Sequence, residues 1–164
     1  MSLVIIGGLV VDQHGEREAD VEIGADGRIA AVGTGLRGDR TLDARGCVVA
    51  PGFVDLHTHL REPGNEAAET IETGARGGAL GGYTALVAMP NTDPATDCAA
   101  VVNQVLEAGR RSLCDVFPSA AMTVGRKGEA ITPMAELVDL GVRIFTDDGT
   151  GVQDNRLMRR IMEY

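Results

Sequence analysis

"GFVDLHTHLREPG", residues 52–64, decides how the rest of the chain is read. An apolar run leads into His57 and His59, and Arg61, Pro63 and Gly64 follow at once. The chain has only three histidines, so two of them at one strand end call for a reason. In a β-strand residues i and i+2 point the same way, so His57 and His59 project together with Asp55, while Leu56 and Thr58 face the opposite layer. Two imidazoles so placed can converge on one ion, and zinc takes such nitrogens at about 2.0–2.1 Å. The plain alternative is a pair of strand-end histidines bonded to backbone or water, and a motif this short does not separate the two.

Downstream of this stretch the rhythm is strand, loop, helix, repeated. A helix is expected over Asn65 to Leu80, with Ala68, Ile71, Ala75 and Ala79 on one face and Glu66, Glu69 and Glu72 near its start, where the helix dipole favours anions. Gly81 and Gly82 end it. "YTALVAM" is the second strand, apolar and β-branched enough to be buried. A second helix runs from about Asp97 to Ala108 with Val101, Val102, Val105 and Leu106 as its core stripe and Gly109 as its stop. "CDVFPSAAM" is a third strand interrupted by Pro118. Thr132-Pro133 opens a third helix, a capping hydroxyl before a proline at the first helical position, and Gly141 closes it. "VRIFTDDG" is the fourth strand and "NRLMRRIMEY" begins a fourth helix.

Strands and helices alternating in this way imply parallel strands with right-handed crossovers, as in a small doubly wound sheet or in half of an eight-stranded barrel. The polar residues help to choose. His57 and His59 end strand one, Asn91 follows strand two, Thr123 follows strand three, and Asp147 and Asp148 end strand four. Chemistry gathered at the C-terminal ends of successive strands is the barrel-enzyme pattern. No G-x-G-x-x-G follows strand one to favour a nucleotide fold.

Upstream, residues 1–51 read as short strands with glycine turns, a small β-sandwich segment. "DVEIGADGRIAAVG" is a hairpin with Asp26-Gly27 at its turn, and "CVVAPG" adds a short strand closed by Pro51. The apolar start "MSLVIIGGLVV" lacks a basic leader and a cleavage pattern, so it reads as a strand and not as a signal peptide. No apolar run approaches the ~20 residues a bilayer span needs, so no membrane partner is expected.

The net charge of -9 argues against nucleic acid as a partner, since backbone affinity comes from clustered Lys and Arg. It leaves room for a small anionic substrate held by one local arginine. Three cysteines, Cys47, Cys98 and Cys114, form no close pair, which fits a reduced, cytoplasmic protein. Asp147 and Asp148 can supply an oxygen ligand, although Asp-Asp-Gly is also common turn chemistry. If Ile144 and Thr146 face the barrel interior, alternation turns Asp148 inward and Asp147 away, which favours Asp148 as the ligand. Arg61 could grip a carboxylate with its planar fork or simply be a solvated loop residue. Asn91 in "MPNT" could bond a substrate or hold its own turn. His14, in a polar loop beside Gly15, reads as structural.

Together, "PGFVDLHTHLREPG", "ETIETGARGGALGGYTALVAMPNT" and "FTDDGTGVQ" resemble the type I dihydroorotases of the amidohydrolase superfamily, the group of bacterial pyrimidine synthesis. The resemblance runs in order from about residue 3 to the last residue. It implies a (β/α)8 barrel of the TIM type, of which residues 52–164 are the first four βα units, preceded by residues 1–51 as the N-terminal part of a small β domain built from both chain ends. The implied activity is the reversible, zinc-dependent interconversion of N-carbamoyl-L-aspartate and dihydroorotate. By the same resemblance His57 and His59 match the paired zinc ligands, Asp148 matches the acidic residue bridging two zinc ions, and Arg61 and Asn91 match substrate-binding positions. The related allantoinases and hydantoinases usually carry a carboxylated lysine at the end of strand four, and "FTDDG" has none.

Thr58 stands where the family signature more often has an aliphatic residue, on the side away from the metal. The resemblance further implies an N-terminal part only, with two more histidine ligands and the acid-base aspartate beyond Tyr164. A half barrel exposes strand edges and an unfilled interior, so the chain alone is expected to be inactive and poorly stable, or self-associating, unless a partner completes it. Partners consistent with the resemblance are the small substrate, a further copy of the chain, or aspartate transcarbamoylase, the last allowing a non-catalytic assembly module as the alternative to an enzyme.

Overall fold

The computed structural model describes all 164 residues and divides them into two compact units, Met1–Pro51 and Gly52–Tyr164. The chain is mixed α/β, with one sheet in each unit. No helix is long and apolar enough to cross a membrane.

The first unit is a five-stranded sheet built on β1 (Leu3–Asp12), which pairs antiparallel with β2 (Gly15–Ile23) and parallel with both β4 (Arg40–Asp43) and β5 (Val48–Val49). β3 (Ile29–Gly33) adds to β2 as the expected hairpin, whose turn brings Gly24 N–H onto the Arg28 carbonyl at 2.8 Å with Gly27 at φ +78°. The β1–β2 hairpin closes at Gln13-His14, where the Asp12 carboxylate takes a two-pronged bond from Arg17 at 2.8 and 2.9 Å. That guanidinium, together with the His14 N–H, holds the Asp12 carboxyl well below the usual carboxylate range. His14 is exposed and its backbone is used in this turn, as its polar surroundings imply. Val10, Ala19 and Val21 form the buried cluster of the unit.

In the second unit β6 (Phe53–Thr58), β7 (Tyr83–Ala88) and β8 (Asp115–Pro118) make a parallel sheet in sequence order. α1 (Ile71–Leu80) and α2 (Ala99–Gly109) are the crossovers, and their stripes pack with the sheet around Ile71, Ala75, Leu86, Val105 and Val116. A second cluster, Val102, Ala120, Leu137 and Val142, ties α2 to α3 (Met134–Asp139). α4 (Asn155–Glu163) starts at Asp154, whose carboxylate accepts from Arg156 and Leu157 N–H.

Three expectations need correction. The first helix begins at Ile71, not Asn65, because Thr70 and Thr73 form a reciprocal capping box there and Glu62 accepts the Ile71 N–H at 2.8 Å. Residues 65–69 fold instead as turns on the Asn65 carbonyl, and Glu66 reaches back to the Gly64 N–H, a bond that pulls its carboxyl pKa down. At the third helix Pro133 occupies the cap and Thr132 does not cap; its buried hydroxyl donates to the Ala121 carbonyl at 2.7 Å.

The fourth strand shrinks to one parallel bridge, Ala120 to Phe145. Its backbone groups are engaged on both sides. Val142 N–H caps α3 through the Leu137 carbonyl, Arg143 donates to the Val138 and Val142 carbonyls, and the Asp147 carbonyl closes a turn with Thr150 N–H at 3.1 Å. Only residues 144–146 are left to lie beside Ala120. Val54, Leu56 and Phe117 stay 56%, 65% and 51% exposed, unusual for a parallel sheet, whose strands are normally covered on both faces.

Candidate metal centre

His57 lies near the end of β6, and His59 follows it by two residues. The strand register slips between Asp55 and Thr58, and Thr58 anchors the segment by donating its hydroxyl to the Val87 carbonyl at 2.8 Å. Asp55 does not join the histidines; its carboxylate accepts the His57 N–H at 3.0 Å. The two rings meet edge to face with centroids 5.2 Å apart.

Asp148 arrives from the end of the shortened fourth strand. Its Oδ1 lies 3.1 Å from His57 Nε2 and its Oδ2 lies 3.8 Å from His59 Nδ1, so each carboxylate oxygen faces a different imidazole. One donor atom from each of the three side chains lies within 4.8 Å of the others. Tetrahedral zinc ligands at about 2.0–2.1 Å sit about 3.4 Å apart, so modest side-chain rotation brings this set onto one ion. Two imidazole nitrogens and a carboxylate oxygen are also the donor types zinc favours, and the fit is therefore good in both chemistry and span. The Asp148 side chain is only 10% exposed while His57 is 60% exposed, which leaves the open side of the cluster toward the rings.

Asn91, in the loop after β7, puts its Oδ1 3.0 Å from His59 Nδ1. Nδ1 is also the His59 nitrogen that Asp148 Oδ2 faces at 3.8 Å, so Asn91 and Asp148 meet the ring at the same atom. Partners of this kind fix the orientation of metal-binding histidines. Arg61 is exposed, takes a left-handed backbone at φ 61°, and makes no salt bridge. It lies two residues beyond His59, and its side chain makes no ion pair with the cluster.

Asp147 has the opposite environment to its neighbour. It is 3% exposed, and its Oδ1 accepts Met122 and Thr123 N–H at 2.8 and 3.0 Å while its Oδ2 accepts the Thr123 hydroxyl. The Asp147–Thr150 turn is also present, with Gly149 at φ +75°. One dipeptide thus serves both a turn and the cluster. Thr123 was visible in the sequence as a strand-end residue, but Arg126, which reaches the Asp147 and Asp148 carbonyls, carried no signal of its own.

The loops after β6 and β7 are sewn together by Asp93 N–H donating to the Pro63 carbonyl at 3.0 Å. Gly64 sits at this seam with φ +103°, and a Cβ added there would stand 2.1 Å from the Asp93 carbonyl oxygen. Gly64→Ala must therefore move backbone as well as adopt a disfavoured φ. A loss of about 2 kcal/mol or more is expected in chemical denaturation. A change within about 0.5 kcal/mol, the ordinary range for surface substitutions, would show that the two loops are not held together here.

A family model described as dihydro-orotase-like matches residues 46–164. The chain is 44% identical over 168 residues to a dihydroorotase of Pelotomaculum thermopropionicum, an alignment covering 100% of this chain and 39% of that protein. It is 47% identical over 171 residues to a dihydroorotase of Mycobacterium tuberculosis, with the same two coverages, 100% and 39%. Among solved structures a D-hydantoinase superposes with a TM-score of 0.80 at 27% identity, over 99% of this chain and 37% of that one. The chain thus spans 39% of the length of the curated relatives it matches. With its histidine pair, its strand-end aspartate and a family match across most of its length, the chain belongs to the dihydroorotase-like family.

Proposed function

We propose that the protein carrying this chain is a dihydroorotase, interconverting N-carbamoyl-L-aspartate and dihydroorotate with zinc as cofactor. The observation that carries this reading is the convergence of His57, His59 and Asp148 on one point, with Asn91 behind His59. Identity of 44% and 47% to dihydroorotases across the whole chain supports the substrate class. The three parallel strands with uncovered apolar residues support residues 52–164 as the first part of an eight-stranded hydrolase barrel, with residues 1–51 as part of a small β domain.

In this proposal His57, His59 and Asp148 hold the metal, and the separate orientation of the two Asp148 oxygens suits a carboxylate shared between two ions. Zinc bound there supplies Lewis acidity and lowers the pKa of water. The chain's own residues do the rest. Asn91 holds the His59 ring through its Nδ1 contact at 3.0 Å. Arg61, exposed and without a salt bridge, offers its fork to the substrate carboxylate. The Asp148 side chain, only 10% exposed, keeps its carboxylate turned to the histidines.

A second reading, a hydantoinase, draws on the D-hydantoinase likeness. Against it, the only lysine in the chain is Lys127, exposed in the loop after β8 and not at the end of the fourth strand. The deciding measurement is hydrolysis of dihydroorotate, hydantoin and allantoin by the purified whole protein that carries this chain, with zinc counted by elemental analysis. Preference for dihydroorotate with about two zinc ions per chain is expected for the complete site, since each ion needs its own donor set. Preference for hydantoin would overturn the proposal. A zinc-free chain that turned over none of the three but bound aspartate transcarbamoylase would favour the assembly-module alternative. The same preparation, sized with and without aspartate transcarbamoylase, tests homo-oligomer and partner, and fractionation tests the cytoplasmic location.

A further inference from the structure

Arg126 stands in an unusual place for an arginine. It follows Gly125 in a three-residue turn, Val124–Arg126, and both residues take left-handed backbone, at φ 61° and 58°. A non-glycine residue seldom adopts this region, so its surroundings must hold it there. They do so through the Arg126 N–H on the Thr123 carbonyl at 2.9 Å and the Thr150 hydroxyl on the Arg126 carbonyl at 3.2 Å. The guanidinium makes no salt bridge. It donates instead to two consecutive peptide carbonyls, Nε to Asp147 at 3.3 Å and Nη2 to Asp148.

These two carbonyls flank the Asp148 α-carbon, so the fork fixes the peptide planes on both sides of the residue that faces the histidines. From the other direction the Asp147 carboxylate is held by Met122 and Thr123, four and three residues before Arg126 in the same loop. One loop therefore grips the aspartate pair at its side chain and at its carbonyls.

We propose that Arg126 is a positioning residue for the metal centre, setting the height and rotation of the Asp148 carboxylate through its two carbonyl bonds. This rests on the reading of His57, His59 and Asp148 as metal ligands. Lysine, a single point-charge donor, cannot span both carbonyls as the planar fork does.

The test uses the whole protein that carries this chain with Arg126→Met and Arg126→Lys, and zinc itself as the probe in competition with a chromogenic chelator. Arg126→Met should weaken zinc binding about 10–100-fold, the range found for groups that orient metal ligands, and Arg126→Lys should recover part of that loss. The melting temperature of the metal-free protein is followed in parallel. If it falls in Arg126→Met but zinc affinity does not, the residue is merely structural and the inference fails. A raised KM with unchanged zinc affinity would also overturn it, because Arg126 would then be touching substrate. Should Arg126→Met not fold, Arg126→Lys decides alone, with unchanged zinc affinity refuting the role. Wild-type protein that takes up no zinc would instead refute the metal reading itself, a distinct and separately visible failure.

Discussion

In the whole protein that carries this chain, and on the proposed function, Asp148→Ala should abolish zinc uptake and lower kcat/KM for dihydroorotate by at least about 10³-fold, since an ion's charge stabilisation is worth several kcal/mol and each 1.36 kcal/mol is tenfold. The reason lies in the shape of the cluster. Asp148 is its only carboxylate, and each of its oxygens faces one of the two imidazoles at 3.1 and 3.8 Å. Alanine leaves two neutral rings with no anion between them, and two neutral imidazoles do not offset the charge of a divalent ion. Because Asp148 makes no side-chain bond to the backbone of its own loop, circular dichroism and the metal-free melting temperature should change little. Zinc retained at wild-type stoichiometry by the variant would remove Asp148 from the centre and reopen the assignment in favour of other acids.

The neighbouring substitution should do the reverse. Asp147→Ala orphans two backbone N–H groups and a hydroxyl in a site only 3% exposed. Each buried donor left without a partner costs about 1–3 kcal/mol, so the total is about 3–9 kcal/mol against a typical domain stability of about 5–15 kcal/mol. We expect a chain that is unfolded or melts far lower. Asp147→Asn should be much milder, since its Oδ1 still accepts from Met122 and Thr123, while its new N–H₂ can donate to the Thr123 hydroxyl oxygen. Urea denaturation of the two variants reads the difference directly. Equal stability of Asp147→Ala and wild type would mean that this carboxylate does not hold the loop. On the proposed function adjacent aspartates divide between metal binding and architecture, and the pair of variants separates the two.

Much of this was legible from residues alone. The alternation of apolar runs with helical stripes foretold the parallel sheet and its crossovers, since burial of Leu86, Val105 and Ile71 is enforced by side-chain type and period. The H-x-H pair at a strand end foretold a meeting of rings, whereas the preference for Asp148 over Asp147 rested on alternation along a fourth strand that the structure reduces to one bridge. Other features depended on competition between local bonds. The start of α1 was decided by Thr70, Thr73 and Glu62 taking the helix's free N–H groups, an outcome the apolar stripe does not encode. The fourth strand was cut short because helix cap and turn claimed its backbone first.

What the sequence by itself determined, then, was which residue types stand at strand ends and in which order, because pattern and propensity act over a few neighbouring residues. The tertiary structure alone decided which of them meet. His59 with Asn91 spans 32 residues, Thr123 with Asp147 spans 24, and Arg126 with the Asp148 carbonyl spans 22. Contacts at such separation follow from how strands and loops pack, and no local period announces them.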